Sequence, residues 1–275
     1  MDVLGVSSTE CDLSDIESVK ENFSAIKNGA VVVMGSAVPR LKENSYDSML
    51  KNIDMTENVG RVLNGKNIGQ MIFLSSIDVY GCEAREGVTL PLREDSLLHP
   101  DDYYALSKVT GEMLLRNHLS DAPLAVLRLP GVYGPGDGGR SLIGRFLENA
   151  GRGRPIHVHG DGARKRNYVF VEDIIKVTAE MTDHPLETVV NLAAPESYSV
   201  LEIAQAVRDV AGAKVEFKEI SAPESRALNI VLDTKKFKQV FSSVETTDIR
   251  QGIELYFRNK QESAGTQANA AEHNS

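Results

Sequence analysis

Short runs of apolar residues, separated by longer amphipathic stretches, are the feature that most constrains how this chain can fold. In the first half these runs are apolar nearly throughout and do not alternate with polar residues, which is typical of strands buried on both faces. The predicted strands are Val3–Val6, Ala30–Met34, Gln70–Leu74 and Leu124–Leu129. The predicted helices between them are Ile16–Ile26, Met49–Leu63 and Tyr103–His118. This alternation predicts an α/β fold with a doubly wound parallel sheet covered by helices.

Beyond residue 130 the pattern changes, and we expect a smaller lobe whose elements are interleaved with the sheet. The region opens with a Gly/Pro-rich loop at Gly131–Gly139. Its predicted strands are Pro155–Val158, Asn167–Val171 and Val189–Leu192, and its predicted helices are Ser141–Ala150, Glu172–Met181 and Ser199–Ala211. Residues 261–275 are polar and lack apolar periodicity, so they are predicted to form a disordered tail. The chain thus divides into residues 1–130, residues 131–260 and the tail.

Composition and charge exclude several classes of protein. The net charge is −9, whereas proteins that bind nucleic acids are usually basic, so no nucleic-acid partner is expected. The longest apolar runs have about five residues, far fewer than the roughly 18 that a membrane span needs. No basic segment followed by an apolar one opens the sequence, so no secretory signal is expected. Two cysteines, Cys11 and Cys82, make no disulfide framework, and we expect a cytoplasmic protein.

A tyrosine and a lysine four residues apart are the first candidates for chemistry. Tyr104-Ala-Leu-Ser-Lys108 places a phenol and an ammonium on one helix face. Because a nearby cation lowers the pKa of a phenol, the tyrosine could then accept and donate a proton near neutral pH. The pattern also occurs at Tyr256-x-x-x-Lys260, but only Tyr104 follows a buried strand that ends in two serines, Ser75 and Ser76. Ligands of parallel sheets bind beyond the carboxyl ends of the strands, so these groups form a candidate site.

Two other patterns carry less weight. Gly134-Pro-Gly-Asp-Gly-Gly139 matches the G-x-G-x-x-G expression, but it contains a proline and follows the candidate tyrosine instead of opening the chain. His157-Val-His159 directs two imidazoles to one face of a strand without an evident third ligand, so no metal is expected.

Five segments together resemble one family, the NAD-dependent epimerase/dehydratase group of the extended short-chain dehydrogenase/reductases. They are Cys11-Asp-Leu-Ser-Asp15, Phe73-Leu-Ser-Ser-Ile-Asp-Val-Tyr-Gly81, Tyr104-x-x-x-Lys108, Leu127-Arg-Leu-Pro-Gly-Val-Tyr-Gly-Pro-Gly136 and Arg166-Asn-Tyr-Val-Phe-Val-Glu-Asp173. Their order and spacing match from about residue 3 to residue 257, nearly the whole chain. The resemblance implies a Rossmann-like dinucleotide-binding region at 1–130 and a mainly substrate-binding lobe at 131–260.

The resemblance also assigns roles to single residues. Ser76, Tyr104 and Lys108 are similar to the catalytic serine or threonine, the acid/base tyrosine and the lysine that tunes it and holds the nicotinamide ribose. The positions similar to cofactor-contacting ones are Asp12, Leu13, Gly35, Ser36, Ala37, Asn52, Lys108 and Pro130. The implied cofactor is NAD; no acidic residue follows Val6-Ser7-Ser8 to mark a ribose partner, so NADP stays an alternative.

A nucleotide-diphosphate sugar is the substrate that the resemblance implies. Seven of the residues from 140 to 166 are Lys or Arg, and such local positive charge attracts anions. Arg166 resembles the arginine that pairs with the diphosphate, Arg226 is a weaker second match, and Asp78 is the candidate for an additional acid. Gly131 stands where nucleotide-sugar members often carry an asparagine.

The function expected from this resemblance is that of a UDP-sugar 4-epimerase, acting through a transient 4-keto sugar. Two alternatives stay open: an NAD(P)-dependent carbonyl reductase, and a non-catalytic homologue that binds a partner. The second follows from a departure, because the family's N-terminal strand, G-x-x-G-x-x-G turn and helix have no counterpart in this sequence. We expect about 25 residues to be missing there, as judged from the size of one such unit. We also expect a homodimer, because the helices at Met49–Leu63 and Tyr103–His118 commonly pair with their copies in this family.

Overall fold

The computed structural model describes residues 2–81, 91–218 and 229–272. Two compact units make up the chain. Unit 1 comprises Met1–Glu83, Glu94–Leu129 and Thr178–Asn191, and unit 2 comprises Ala84–Arg93, Pro130–Val177 and Leu192–Ser275.

The helices and strands alternate along most of the chain. The helices are α1 (Ile16–Phe23), α2 (Tyr46–Leu63), α3 (Tyr103–His118), α4 (Leu142–Gly151), α5 (Val171–Asp183), α6 (Val200–Ala211), α7 (Lys235–Val240) and α8 (Ile249–Glu272). The strands are β1 (Val31–Met34), β2 (Gln70–Ser76), β3 (Leu124–Leu129), β4 (Gly131–Tyr133), β5 (Ile156–His159), β6 (Lys165–Phe170), β7 (Thr188–Asn191), β8 (Ser197–Ser199) and β9 (Val215–Lys218). A short 3-10 helix, Ile77–Tyr80, directly follows β2.

A four-stranded parallel sheet forms the centre of unit 1, in the order β1-β2-β3-β7. Parallel neighbours need a crossover, and α2 and α3 provide it between β1 and β2 and between β2 and β3. Side chains from α1, α2 and α3 form one apolar cluster with side chains of these strands. Its fully or nearly buried members include Val19, Val59, Leu63, Met71, Phe73, Leu115 and Val126. The predicted α/β class with a parallel sheet is confirmed.

The prediction of a strand at Val3–Val6 is wrong. These residues pair with no strand in the described part of the chain, and Val3 and Leu4 are 79% and 85% exposed. An apolar run becomes a strand only where a neighbour accepts its hydrogen bonds and covers its side chains. Here the chain instead turns at Ser7–Glu10 and buries its first side chain at Cys11.

Three helices begin at capping residues that are visible in the sequence. Asp102 caps α3 by accepting the Ala105 N–H at 2.7 Å, and α3 has the predicted bounds. The capping box of Ser199 and Glu202 is present at the start of α6. Helix α2 begins three residues earlier than predicted, because Ser45 supplies a capping box of its own with Ser48.

Unit 2 contains two small sheets, β4-β6-β8 and β5-β9. Strand β6 pairs in parallel with β4 and antiparallel with β8. The apolar faces of α4, α6 and α8 meet these strands in a second core. Its fully or nearly buried residues include Tyr133, Ile143, Leu147, Ile156, Phe170, Ile203 and Ile253.

Residues 261–272 belong to α8, so the prediction of a disordered tail does not hold for them. The segment is rich in alanine, glutamine and glutamate, which favour helix, and it continues a helix already formed over residues 249–260. Elongation needs no new nucleus, so a polar sequence suffices. No helix in the described residues is long and apolar enough to cross a membrane.

Candidate active site

The carboxyl ends of β1, β2 and β3 bring the candidate residues of unit 1 together. Because the strands are parallel and adjacent, the loop after Met34, the turn after Ser76 and the chain after Leu129 all leave the sheet at the same edge. Pro130, a predicted cofactor-binding residue, is buried and directly follows β3 as the first residue of a unit 2 segment.

Ser76 is the last residue of β2 and also the cap of the 3-10 helix. It is buried, and its Oγ accepts the N–H of Asp78 at 3.1 Å. The turn ends at Gly81, whose φ of +80° and whose close approach to the His99 carbonyl leave no room for a Cβ atom. The Val-Tyr-Gly motif therefore fixes the backbone next to Ser76.

Tyr104 and Lys108 lie one turn apart on α3, which packs against β2 and the 3-10 helix. The Lys108 Nζ donates to the Leu74 carbonyl at 2.8 Å and lies 5.8 Å from the centre of the Tyr104 ring. It also lies 4.8 Å from the centre of the Phe73 ring. The structure thus places the predicted tyrosine and lysine beside the strand that ends in Ser76.

Burial dominates the electrostatics of both side chains. It lowers the pKa of Lys108 to about 8, although the negative charge of Glu112 opposes the shift. Burial likewise raises the pKa of Tyr104 above its ordinary value; Asp78 and Asp102 add to this effect and Arg40 opposes it. Burial thus outweighs the opposing charge of Arg40 at this phenol, and the expected lowering of its pKa by Lys108 stays a prediction.

Arg40 joins three segments around Tyr104. Its Nη1 lies 3.4 Å from a carboxylate oxygen of Asp78 and 3.3 Å from one of Asp102. Asp78, the predicted additional acid, is thus held in an ion pair. Sequence reasoning missed Arg40, since its partner Asp102 is 62 positions away along the chain.

The predicted cofactor loop is held by the side chain of Asn52. Its Oδ1 accepts the Val38 N–H at 2.7 Å and its Nδ2 donates to the Val38 carbonyl at 3.2 Å. Gly35 and Ser36 are exposed and Ala37 is half-buried. Asn52 is itself buried, so its contact with the loop is through hydrogen bonds to the backbone.

Asp12 and Leu13 lie in the turn that precedes α1. The exposed carboxylate of Asp12 accepts hydrogen bonds from the side chain and backbone of Ser14, which lower the pKa of Asp12. The Leu13 carbonyl accepts the Asn58 Nδ2 at 3.0 Å, and its side chain packs on the core of unit 1.

A buried ion pair lies behind the two serines. The guanidinium of Arg128 on β3 donates twice to the Glu112 carboxylate on α3, at 3.0 and 2.8 Å. The Ser75 Oγ donates to the same carboxylate at 2.6 Å. The only hint in the sequence was the presence of charged residues in otherwise apolar segments.

Arg166 lies on β6 in unit 2 and is half-buried. Its charge and that of Arg145 act on the buried Tyr168, whose pKa burial raises to about 12. No hydrogen bond or ion pair engages the Arg166 guanidinium within the described ranges. Arg226, the second predicted arginine, lies outside the described residues.

Gly131 on β4 lets the ring of Tyr168 on the paired strand β6 lie close to the backbone. A Cβ atom at this position would lie 2.9 Å from the Tyr168 ring. An asparagine, as in many nucleotide-sugar members, would therefore require the ring to move. This contact gives a physical reason for the departure noted in the sequence.

Of the two discounted patterns, the glycine-rich loop has a structural role, and His157 Nδ1 lies 3.7 Å from a carboxylate oxygen of Glu216. The Gly134–Gly139 loop is organised by Asp137, which accepts hydrogen bonds from the Gly139 N–H, the Ser141 hydroxyl and, at 2.6 Å, the Tyr256 hydroxyl. Tyr256 is thus engaged in holding this loop. Within the described residues, no cluster of three metal-binding side chains occurs.

Comparison with known proteins identifies the family. The model of the NAD-dependent epimerase/dehydratase family matches residues 2–200. The chain belongs to this family. A dTDP-4-dehydro-6-deoxy-D-allose reductase from a Streptomyces species is 27% identical over 223 residues, which are 77% of this chain and 67% of the relative.

Solved structures of Rossmann-like epimerases superimpose on this chain and so share its fold. UDP-glucose 4-epimerase from Thermotoga maritima, solved with UDP-glucose, superimposes with a TM-score of 0.81 at 21% identity, covering 92% of this chain and 84% of that chain. UDP-glucuronic acid 4-epimerase from Bacillus cereus, solved with NAD, gives 0.75 at 21% identity, covering 90% and 79%.

Proposed function

We propose that this protein is an NAD-dependent UDP-sugar 4-epimerase that acts through a transient 4-keto sugar. The observation that carries the proposal is the placement of Ser76, Tyr104 and Lys108 on β2 and α3, two elements in direct contact. Family membership and relatives that are named as enzymes of UDP- and dTDP-sugars support it.

The donor set of unit 1 fits the nicotinamide half of NAD. Lys108 donates one of its three N–H groups to the Leu74 carbonyl, which leaves two for a ligand. The Ser76 hydroxyl accepts from Asp78 and still has its own O–H to donate at the strand end. The backbone of Gly35–Ala37 lies at the neighbouring strand end. Asp12 and Leu13 are proposed to contact the adenine, and Pro130 the nicotinamide side. Asn52 serves this site by fixing the loop. When bound, NAD supplies the hydride acceptor.

Residues of the protein would accept and return the proton of the sugar hydroxyl. Tyr104 accepts the proton of the sugar hydroxyl and later returns it, while Ser76 hydrogen-bonds the same oxygen. Burial raises the pKa of the Tyr104 phenol and the charge of Arg40 opposes that shift, so proton removal needs positive charge beside the phenol. The Lys108 ammonium, 5.8 Å from the ring centre, is proposed as one such charge. Lys108 is also proposed to hold the ribose.

An NAD(P)-dependent carbonyl reductase is the second candidate, and the Streptomyces relative is named as a reductase. Dehydration is less well supported, because Asp78 is held by Arg40. We further propose that Arg166 and Arg226 bind the diphosphate of the substrate, that the protein is a homodimer, and that it is cytoplasmic, as its two cysteines favour.

The test is turnover of UDP-glucose at saturating NAD, followed as formation of the 4-epimer. Tyr104→Phe should lower kcat about 100-fold or more, the effect of losing a general acid/base. Tyr256→Phe is the matched control and should leave kcat unchanged, since Tyr256 binds Asp137. Stoichiometric oxidation of NADH or NADPH with a keto sugar, without epimerisation, would favour the reductase. Full activity of Tyr104→Phe would contradict the assigned site.

A further inference from the structure

Glu112 is buried on α3 one turn beyond Lys108, and each of its carboxylate oxygens accepts at least one hydrogen bond. One oxygen accepts from the Ser75 hydroxyl at 2.6 Å and from the Arg128 Nε at 3.0 Å, and the other accepts from Arg128 Nη2 at 2.8 Å. Both side chains of the ion pair are about 5% exposed. A carboxylate with this many donors is fixed in place.

The ion pair is itself held by a chain of hydrogen bonds. Arg128 Nη1 donates to the Tyr80 hydroxyl at 2.9 Å and to the Glu94 carbonyl at 3.1 Å. The Tyr80 hydroxyl donates to Asn191 Oδ1 at 2.7 Å. The network therefore ties α3, β2, β3, β7 and the 3-10 helix together in unit 1.

Lys108 needs a counter-charge that its own contacts do not supply. It is 4% exposed, its Nζ donates to a neutral carbonyl, and the rings of Phe73 and Tyr104 face it. A buried ammonium without an anion nearby loses its proton readily. Glu112 is the anion that acts on it, one helical turn away.

We propose that Glu112 is a positioning residue: its buried carboxylate, fixed by Arg128, is the counter-charge of the Lys108 ammonium, and its bond to Ser75 holds the strand end that carries Ser76. This role rests on the proposed function, because it assigns Lys108 and Ser76 to the site. Glu112 takes no part in proton transfer, since its oxygens are occupied by Arg128 and Ser75.

The first measurement is the titration of the Lys108 amine by NMR in lysine-labelled protein, with its signal assigned by loss in Lys108→Met. The wild-type midpoint should lie near 8. Glu112→Gln should lower it by about one pH unit, because removal of a nearby anion disfavours the ammonium. Glu57→Gln, which removes a carboxylate bonded to His118 on the far part of α3, is the matched control and should leave it unchanged.

Glu112→Gln leaves Arg128 buried without its partner and can unfold the protein. The double variant Glu112→Gln/Arg128→Met removes both charges and keeps the measurement possible. The double variant is compared with Arg128→Met, so that only the Glu112 charge differs between the two proteins. Equal Lys108 midpoints in these two, or an unchanged midpoint in a folded Glu112→Gln, would overturn the proposal.

The second measurement is the pH dependence of kcat/KM. The alkaline limb, where Lys108 loses its proton, should move to lower pH by the same amount in the Glu112 variant. A lower kcat/KM at every pH with an unmoved limb would indicate a purely structural role and contradict the proposal. If the wild type turns over no UDP-sugar, the proposed function fails, while the NMR titration still decides the role of Glu112.

Discussion

Lys108 is buried, and burial of a charged ammonium lowers the stability of the folded protein. Its pKa falls from 10.5 to about 8 on folding, mainly because burial removes the charge from water. The unfolded chain therefore binds more protons than the folded one between about pH 8 and 10.5, and this residue makes stability rise with pH in that window. Below pH 8 the full cost of holding the charge is present.

Lys108→Met should accordingly raise the free energy of unfolding at pH 7 by roughly 2–3 kcal/mol, while it removes activity. The difference from wild type should shrink as the pH rises from 8 to 10.5, which denaturant unfolding at a series of pH values would measure. Lys42→Met, at an exposed position, is the control and should show no such trend. A destabilised Lys108→Met at pH 7 would mean that the lysine is well compensated in place.

The residues that sequence reasoning found and those that it missed differ in how their partners are placed. Tyr104 and Lys108 are one helical turn apart, so their proximity follows from spacing alone. Arg128 and Glu112 are 16 positions apart and Arg40 and Asp102 are 62 apart, on different elements. Only strand order and helix packing could bring these pairs together.

At the scale of elements, the arginines of the basic segment from residue 140 to residue 166 differ in whether their guanidinium groups have partners. Arg152 pairs with Glu148 on α4, and Arg140 donates to backbone carbonyls of its own loop. Arg166, on β6 near Tyr168, has a guanidinium that no hydrogen bond or ion pair engages among the residues that the structure describes. The direction of a strand side chain is set by the pleat, whereas Arg152 and Arg140 donate to groups of their own helix and loop.

Arg166→Ala should weaken UDP binding by about 1.5–3 kcal/mol, the contribution of a charge-assisted hydrogen bond. Calorimetric titration with UDP measures this change, and NAD affinity should stay the same. Arg154→Ala, at an exposed position of the same segment, is the control with little expected effect. Equal UDP affinities in both variants would show that the segment acts only as a charged surface.

At the scale of the whole molecule, apolar side chains lie exposed on the two helices proposed to form the dimer interface. Tyr46 on α2 is 57% exposed and Met113 on α3 is 61% exposed. Leu50, Tyr103 and Leu106 on the same helices are also exposed, and Tyr46 and Tyr103 meet edge to face at 6.4 Å. An apolar surface on two helices that already pack together suits a second copy of the same pair.

Leu106→Glu together with Met113→Glu should convert a dimer into a folded monomer, because burying two carboxylates opposes association. Light scattering at micromolar concentration measures the mass. Leu97→Glu, at an exposed apolar position outside the two helices, is the control and should remain dimeric. A monomeric wild type would contradict the proposed assembly.

The sequence by itself determined the elements whose signals are local. Apolar runs, capping residues and the Tyr-Lys spacing predicted β1, β2, β3, α3, α6 and the pairing of Tyr104 with Lys108, since each depends on neighbours within a few positions. The role of Ser76 came from the family resemblance. Only the tertiary structure decided that Val3–Val6 is not a strand, because an apolar run carries no information on whether a pairing neighbour exists. It also decided that Arg40 pairs with Asp102, that Glu112 pairs with Arg128 and that Tyr256 binds Asp137, because Coulomb forces and hydrogen bonds depend on distances in space that the folded chain alone sets.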